Sequence, residues 1–304
     1  MRWFFSVVLL GLLLAFPPIA AATGLEFYQG LLTKIMVYAL AASSLNLILG
    51  YGGMVSFGHA AYFGLGAYTV AILMREGVTS AWVIWVAAVG LSGLLALLIG
   101  VISLRTRGVY FIMITLAFAQ MIYYLVVSFK QYGGEDGLRA RRPEFGLFEL
   151  NDTTLYYLTL GVLLAALYLM HRLVHSRFGR VLQAIRENES RALALGYPVF
   201  RFQLVAFVLA GAIAGLAGVL MAHYTQYVSP SLLAWQQSGH LMMMVILGGV
   251  GQFWGGVLGA AVLSLVEEVL QDLTIHWQLG VGVILLLIVL FAPQGLAGLL
   301  RRKV

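Results

Sequence analysis

SRFGRVLQAIRENESRALALGYPVFR, residues 176–201, is the longest polar interruption in the second half of an otherwise apolar chain. Its first part has helical periodicity: Val181, Leu182, Ala184 and Ile185 fall on one arc, and Arg180, Gln183, Arg186 and Glu187 on the other. Both signs of charge and the closing Gly196-Tyr197-Pro198 turn signal describe a short amphipathic docking helix outside the bilayer, not a span. Its apolar ridge, Val181, Ala184 and Ile185, suits the groove of a partner protein. The same pattern also suits a helix lying on lipid with its arginines toward anionic headgroups.

The chain has 304 residues, 62% of them hydrophobic and 10% charged, with mean hydropathy +0.95. Soluble domains carry a charged fraction near ~25%. Runs of roughly 20 apolar residues recur along the whole length, each long enough to cross about 30 Å of hydrocarbon as a helix. The expected fold is therefore an all-α polytopic membrane protein forming one transmembrane domain, with about ten transmembrane helices, a short broken helix and a cytoplasmic docking helix. The net charge of +6 sits in short flanks between spans, where cytoplasmic loops carry Lys and Arg, so it does not point to nucleic acid. With no Cys, disulfides, thiolate nucleophiles and thiolate metal sites are excluded.

Residues 1–22 have Arg2, an apolar run from Trp3 to Phe16, then Pro17-Pro18 and three alanines. They are read as a retained first span, although a basic start, a short core and small residues also suit a cleavable signal peptide. Leu31 to Gly50 is the second span, closed by the Gly50-Tyr51-Gly52-Gly53 turn, and Val55 to Met74 the third. The third carries small residues at helical spacing, interleaved with Ser56, His59, Tyr62, Tyr68 and Thr69. Trp82 to Leu104 and Tyr110 to Ser128 follow, the latter with Thr115 and Gln120 in its interior. Leu155 to Met170 and Phe202 to Tyr224 flank the docking loop, the second with Gly211, Gly215 and Gly218 on a close-packing face. The short Gly-bounded stretch from His240 to Leu247 reads as a broken or buried helix, covered by neighbours from lipid. Trp254 to Leu270 and Leu279 to Leu300 complete the set, ending at Arg301-Arg302-Lys303.

Sidedness follows from the loops. Residues 129–154 contain four basic side chains (Lys130, Arg139, Arg141, Arg142) against five acidic ones (Glu135, Asp136, Glu144, Glu149, Asp152). Residues 172–201 contain six arginines against Glu187 and Glu189. Basic residues near span ends are retained on the cytoplasmic side, so the docking loop is placed inside, residues 129–154 outside and both termini inside. Lys and Arg then divide twelve inside to six outside.

Catalytic signatures are missing. None of Lys34, Lys130 and Lys303 follows a glycine, so the chain has no phosphate-binding loop of its own, and there is no HExxH. Ser56 and His59, three apart on one expected helical face, have no acidic orienter nearby in sequence. An ionisable residue at membrane depth is a functional candidate, so His59 either lines a path or is a neutral histidine hydrogen-bonded to a backbone carbonyl at a helix interface. Glu267 and Glu268 are expected near the outer end of their span, solvated or snorkelling.

The docking loop followed by FQLVAFVLAGAIAGLAGVLMAHY (residues 202–224), NLILGYGGMVSFGHAAYFGLGAY (46–68) and ILGGVGQFWGGVLGAA (246–261) resemble the membrane subunits of branched-chain amino-acid ABC importers, specifically their M-type permeases. The resemblance implies a non-enzymatic inner-membrane subunit that pairs with a homologous second permease, two ATP-binding subunits and an extracytoplasmic solute-binding protein. ATP would be bound by the partners, with no cofactor in this chain. Glu187, Glu189, Ala192, Ala194 and Gly196 stand at the places of the family's coupling motif. The loop departs from the wider importer pattern, which starts with Glu-Ala-Ala and ends near Leu-Pro, and related urea and short-amide permeases share the departure. On this reading Val181, Ala184, Ile185, Arg186, Glu187, Glu189 and Gly196 couple to the ATPases, while Ser56, His59, Tyr62, Tyr68, Gln120 and His240 line the path. The main rival is a secondary amino-acid transporter, which would need intramembrane carboxylates that the clearest mid-span stretches lack. A purely structural subunit leaves the polar, Gly-rich segment 51–68 unexplained.

The chain's lack of cysteine makes sidedness directly measurable. Cysteines replacing Asp136 and Asn188 are expected to react with impermeant maleimide from opposite sides of intact cells, and labelling from one side contradicts this topology.

Overall fold

The computed structural model describes residues 2–143, 145–146, 150–292 and 294–301. Met1, Glu144, Glu149, Arg302 and Lys303, which entered the span and charge arguments above, lie outside the described residues. The fold is all-α apart from one two-residue strand pair. In chain order come α1 (Arg2–Thr23), α2 (Glu26–Asn46), α3 (His59–Arg75), α4 (Ala81–Ser103), α5 (Val109–Ser128), β1 (Leu138–Arg139) and α6 (Asp152–His175). Then follow α7 (Arg177–Glu187), α8 (Glu189–Ala194), α9 (Val199–Thr225), β2 (Tyr227–Val228), α10 (Trp235–Gly248), α11 (Gly255–Leu273), α12 (Trp277–Phe291) and α13 (Gly295–Arg301). A π-helical turn, Leu47–Tyr51, extends α2. Five helices among the described residues are long and apolar enough to cross a membrane: Glu26–Tyr51, α4, α5, α6 and α9.

Small residues set how these helices meet. The 27-residue α9 is the central post, packed against α2, α3 and α4. Lipid supplies no hydrophobic drive between helices, so close van der Waals contact must hold them, and that requires residues without bulk. A Cβ at Gly218 would overlap the Phe63 carbonyl, one at Gly215 the Ser92 side chain, and one at Gly211 the Ala96 methyl. The expected close-packing face of Gly211, Gly215 and Gly218 is thus the seam with α3 and α4. The same device joins α10 to α11, where Gly248 lies against Gly255 and Gly259 against the Met244 carbonyl.

Three expected spans need correction. The third does not run from Val55: residues 52–58 are irregular, and α3 begins only at His59, so Ser56 and His59 do not share a helical face. The stretch Leu279 to Leu300 falls on two helices, α12 ending at Phe291 and α13 starting at Gly295, and α13 packs where Gly295 meets Gly249. The short Gly-bounded stretch starts earlier, at Trp235, which makes α10 a helix of 14 residues. At about 21 Å it is still shorter than the roughly 30 Å hydrocarbon layer, and α2, α3, α11 and α12 surround it.

The loops sort to two ends of the bundle. At one end Tyr132 Oη donates to Glu76, Arg142 pairs with Asp152, and β1 pairs antiparallel with β2, Leu138 opposite Val228. At the other, Arg107 pairs with Glu189, Arg186 reaches Gly50, and Asn46 bonds to Gln252. Residues 129–143 and 226–229 therefore share one end, while 47–53, 104–108, 177–197 and 249–252 share the opposite one.

The α3–α9 seam yields a direct test. Overpacking costs typically 1–3 kcal/mol or more, and a carbonyl oxygen has no way to yield. Gly218→Val is expected to reduce folded, monodisperse protein in detergent several-fold, while Gly161→Ala, whose added Cβ meets nothing within 4 Å, leaves the yield unchanged. Equal yields would contradict the seam.

Candidate functional site

The polar segment after α6 is two helices, not one. Ser176 caps α7, its Oγ accepting from the Gly179 N–H at 3.3 Å, and Asn188 stops α7 and caps α8, its Oδ1 accepting from the Arg191 N–H at 2.8 Å. Gly196, at φ +84°, closes α8: Tyr197 N–H donates to Ala192 O and Gly196 N–H to Leu193 O, the paired bonds that end a helix in a left-handed residue. Gly196 therefore ends the second helix, eight residues beyond the break that sequence periodicity passes over.

The apolar ridge also faces the other way. Ile185, only 3% exposed, forms a small core with Ala192 and Val199, against which Val181 and Phe202 pack. Phe178 stacks on Phe202 with centroids 5.3 Å apart. A surface helix buries its apolar stripe against its own domain first, so Val181 and Ile185 are not free for a partner, which corrects the expected ridge. Ala184, Glu187 and Gly196 are exposed, and Glu189 forms a 2.8 Å ion pair with Arg107 of the α4–α5 turn. The apolar groups left outside are Leu193, Leu195 (70% exposed) and Tyr197, on α8 and its closing turn. Sequence periodicity missed them because they alternate across the end of α8 and its closing turn and are not spaced along one helix.

Arg186 is exposed, and its Nη1 donates to the Gly50 carbonyl at the end of the π-helical turn. Beside it, Asn46 Nδ2 donates to Gln252 O at 2.8 Å while its Oδ1 accepts from the Gly251 N–H at 3.0 Å. A cavity of about 260 Å³ adjoins this cluster, lined among others by Gly53, Val55, Arg107, Phe111, Arg186 and Glu189.

The expected path residues are mostly packed core. Ser56, His59, Tyr62 and Tyr68 are all buried. The irregular backbone before α3 is covered by hydroxyls: Ser56 Oγ accepts from Gly58 N–H (3.2 Å), Thr115 Oγ1 from Phe57 N–H (3.2 Å), and Ser238 Oγ from Ala60 N–H (2.8 Å). Ser44 donates to Ala41 O, so its oxygen accepts from His59 Nε2–H at 2.8 Å. The partner is thus a hydroxyl of α2 and not the backbone carbonyl of the expected interface histidine, and Tyr62 stands edge-on to both His59 and Phe207. Tyr68 lies elsewhere, among Val219 and Leu233. Gln120 is half-buried on α5.

His240 has a partner that the sequence reading set aside. Its Nε2 stands 2.8 Å from Glu267 Oε1, and Tyr38 of α2 packs edge-on to its ring at 5.3 Å. Glu267 is 7% exposed, which corrects its expected solvated position, and His240, expected to share one path lining with Ser56 and His59, stands in a different setting, against Glu267 and Tyr38. The six expected path residues therefore do not form one lining in this conformation. Ser44, Asn46, Ser238 and Arg107 entered the site unannounced, since their partners lie 15 to 206 residues away or across an exposed ion pair.

Comparison with known proteins places this architecture. The profile of the family described as "Branched-chain amino acid transport system / permease component" matches residues 27–292. The high-affinity branched-chain amino acid transport system permease protein LivM of Escherichia coli is 28% identical over 324 aligned positions, covering 98% of this chain and 75% of the relative. Its Salmonella typhimurium counterpart is 28% identical, covering 88% and 69%. The Escherichia coli permease LivH is 22% identical, covering 86% and 91%. No solved structure is a significant match. Buried irregular helix ends, an amphipathic two-helix segment at one end of the bundle and a family match across most of its length together make this chain a member of the branched-chain amino acid transport system permease family.

Proposed function

We propose that the chain is the M-type permease of an ABC importer that moves branched-chain, hydrophobic amino acids inward across the inner membrane, driven by two ATP-binding subunits that dock on α7–α8. The observation that carries this reading is the two-helix segment itself. It is anchored to the bundle by Ile185, Ala192 and Val199 yet leaves Leu193, Leu195 and Tyr197 bare beside exposed charge. A segment fixed on one side and apolar on the other suits a partner that pushes on it.

In this arrangement α1 to α6 and α9 to α12 make ten crossings, with α7–α8 and both termini in the cytoplasm and residues 129–151 outside facing a solute-binding protein. The division of loops between two ends supports the alternation, and the excess of arginine supports the sidedness. A homologous second permease completes the path, as the likeness to both LivM and LivH proteins suggests. No ATP site is expected in this chain.

A secondary transporter retains one supporting feature, the buried His240–Glu267 pair. Intramembrane ionisable pairs occur in proton relays. The two readings separate in vesicles: the complete complex should accumulate substrate on ATP hydrolysis alone, and the isolated chain should accumulate none on a proton gradient. Gradient-driven uptake by the isolated chain would favour the rival. Urea or short-amide competition for the purified solute-binding protein, stronger than competition by leucine, would reassign the substrate.

The docking surface is tested by Leu195→Asp. Removing an interface anchor costs on the order of 2 kcal/mol or more, about tenfold or more in affinity. The variant should insert normally yet lose co-purification of the ATP-binding subunits at least about tenfold. Full retention would mean that α8 lies on lipid or solvent.

A further inference from the structure

Arg186 lies near the end of α7, within the segment proposed to meet the ATPases, and although the residue is exposed its Nη1 reaches back to the Gly50 carbonyl of the bundle. We infer that Arg186 is a positioning residue that links α7–α8 to the inward-ending turns of α2 and α10–α11, so that movement of the segment reaches the buried helix ends. This rests on the importer reading above and adds to it the route of the movement.

Four observations carry the assignment. The acceptor is the Gly50 carbonyl in the last turn of the α2 extension, where helix carbonyls lack intrahelical donors and the helix dipole favours a cation. Backbone flanks the side chain, although the residue as a whole is exposed: a Cβ at Gly53 would stand 3.0 Å from Arg186 Cγ, and one at Gly251 2.9 Å from Nη1. Both glycines have positive φ, +69° and +75°, so an L side chain is disfavoured there twice over. Asn46 ties the same two turns together through Gly251 N–H and Gln252 O. Finally, Arg186 has no carboxylate partner among the described residues, although Glu187 adjoins it and Glu189 is close in sequence; Glu189 pairs with Arg107 instead. An arginine held by carbonyls and glycine backbone responds to where those turns lie and not to a neighbouring charge.

The connections beyond the cluster explain what such a link would move. Past Gly53 the chain re-enters the protein as the irregular stretch whose amides are covered by Ser56, Thr115 and Ser238. Past Gly251 it forms α11, which carries Glu267 against His240. The adjoining cavity of about 260 Å³ lies between the segment and the α4–α5 turn, with room for the segment to shift. Guanidinium geometry matters because a planar fork can keep a carbonyl bond while its stem packs on glycine, whereas an ammonium is a single point on a shorter reach.

The test uses the whole complex, reconstituted with its two ATP-binding subunits, second permease and solute-binding protein. Arg186→Gln should keep the ATP-binding subunits bound through purification but lose uptake, and stimulation of ATP hydrolysis by loaded binding protein, at least about tenfold. Arg186→Lys should recover part of both. Wild-type uptake by Arg186→Gln would overturn the link, and so would loss of the ATP-binding subunits, which would make Arg186 a docking contact. Should Arg186→Gln fail to fold, hydrogen exchange on the wild-type complex decides. Trapping ATP should change protection in residues 249–252 together with residues 177–194, and a change confined to 177–194 overturns the proposal. Absence of ATP-driven uptake by the wild-type complex would sink the importer reading itself, an outcome distinct from the others.

Discussion

Backbone amides and carbonyls that end inside a bilayer must find partners within the protein, because hydrocarbon offers none. Three helix ends in this chain are covered in that way: the π-helical end of α2 and the end of α10, both at the end of the bundle that carries α7–α8, and the start of α3. Each is covered by side chains from distant segments, Ser238 and Thr115 over the α3 start, Asn46 over the α10–α11 turn, Arg186 over the α2 end. An uncovered amide or carbonyl would cost several kcal/mol, so these partners fix how the helices are placed relative to one another.

That constraint explains the choice of small residues around the covered ends. A side-chain oxygen reaches a backbone amide only if the two segments approach closely, and glycines beside the caps permit this: a Cβ at Gly256 of α11 would stand 2.7 Å from the Ser43 amide of α2, near Asn46, and one at Gly58 3.3 Å from Thr115 Cβ. The glycine seams and the hydroxyl caps are two aspects of one arrangement. Close approach holds the bundle, and the caps make the interrupted helices tolerable within it. The two-helix segment then joins the arrangement through its own small core at one end, so it is part of the bundle before any partner arrives.

Much of this was legible in the sequence where apolar length and helix length coincide. The spans now seen as α4, α5, α6 and α9 were readable for that reason, as were the separation of the two polar loops to different ends and the close-packing glycines. What escaped was every feature set by a partner far away in the chain. Val55 to Met74 has the length and charge-free composition of a span, yet the helix starts at His59, because Ser238 and Thr115 stabilise the break. Glu267 carries a charge that hydropathy assigns to water, while His240, 27 residues upstream, accommodates it inside. The ridge of Val181 and Ile185 was correctly read as one stripe, but periodicity does not say whether the stripe meets its own core or another protein. Arg186 looked like a contact for a partner for the same reason: a charge on a helix gives no direction until the turn beside it is known.

The central claim is that the segment after α6 and the α10–α11 turn move as one body when the ATPases act. The most direct measurement is a spin-label distance between Ser190 and Val250, with a third label at Asp136 as reference, in the assembled complex with and without trapped ATP. Helix shifts at such interfaces are about 1–2 Å or, in a ratchet, about 5 Å. The account predicts that the 190–250 distance stays constant while both labels change their distance to residue 136. A change in the 190–250 distance with residue 250 fixed relative to 136 would contradict it.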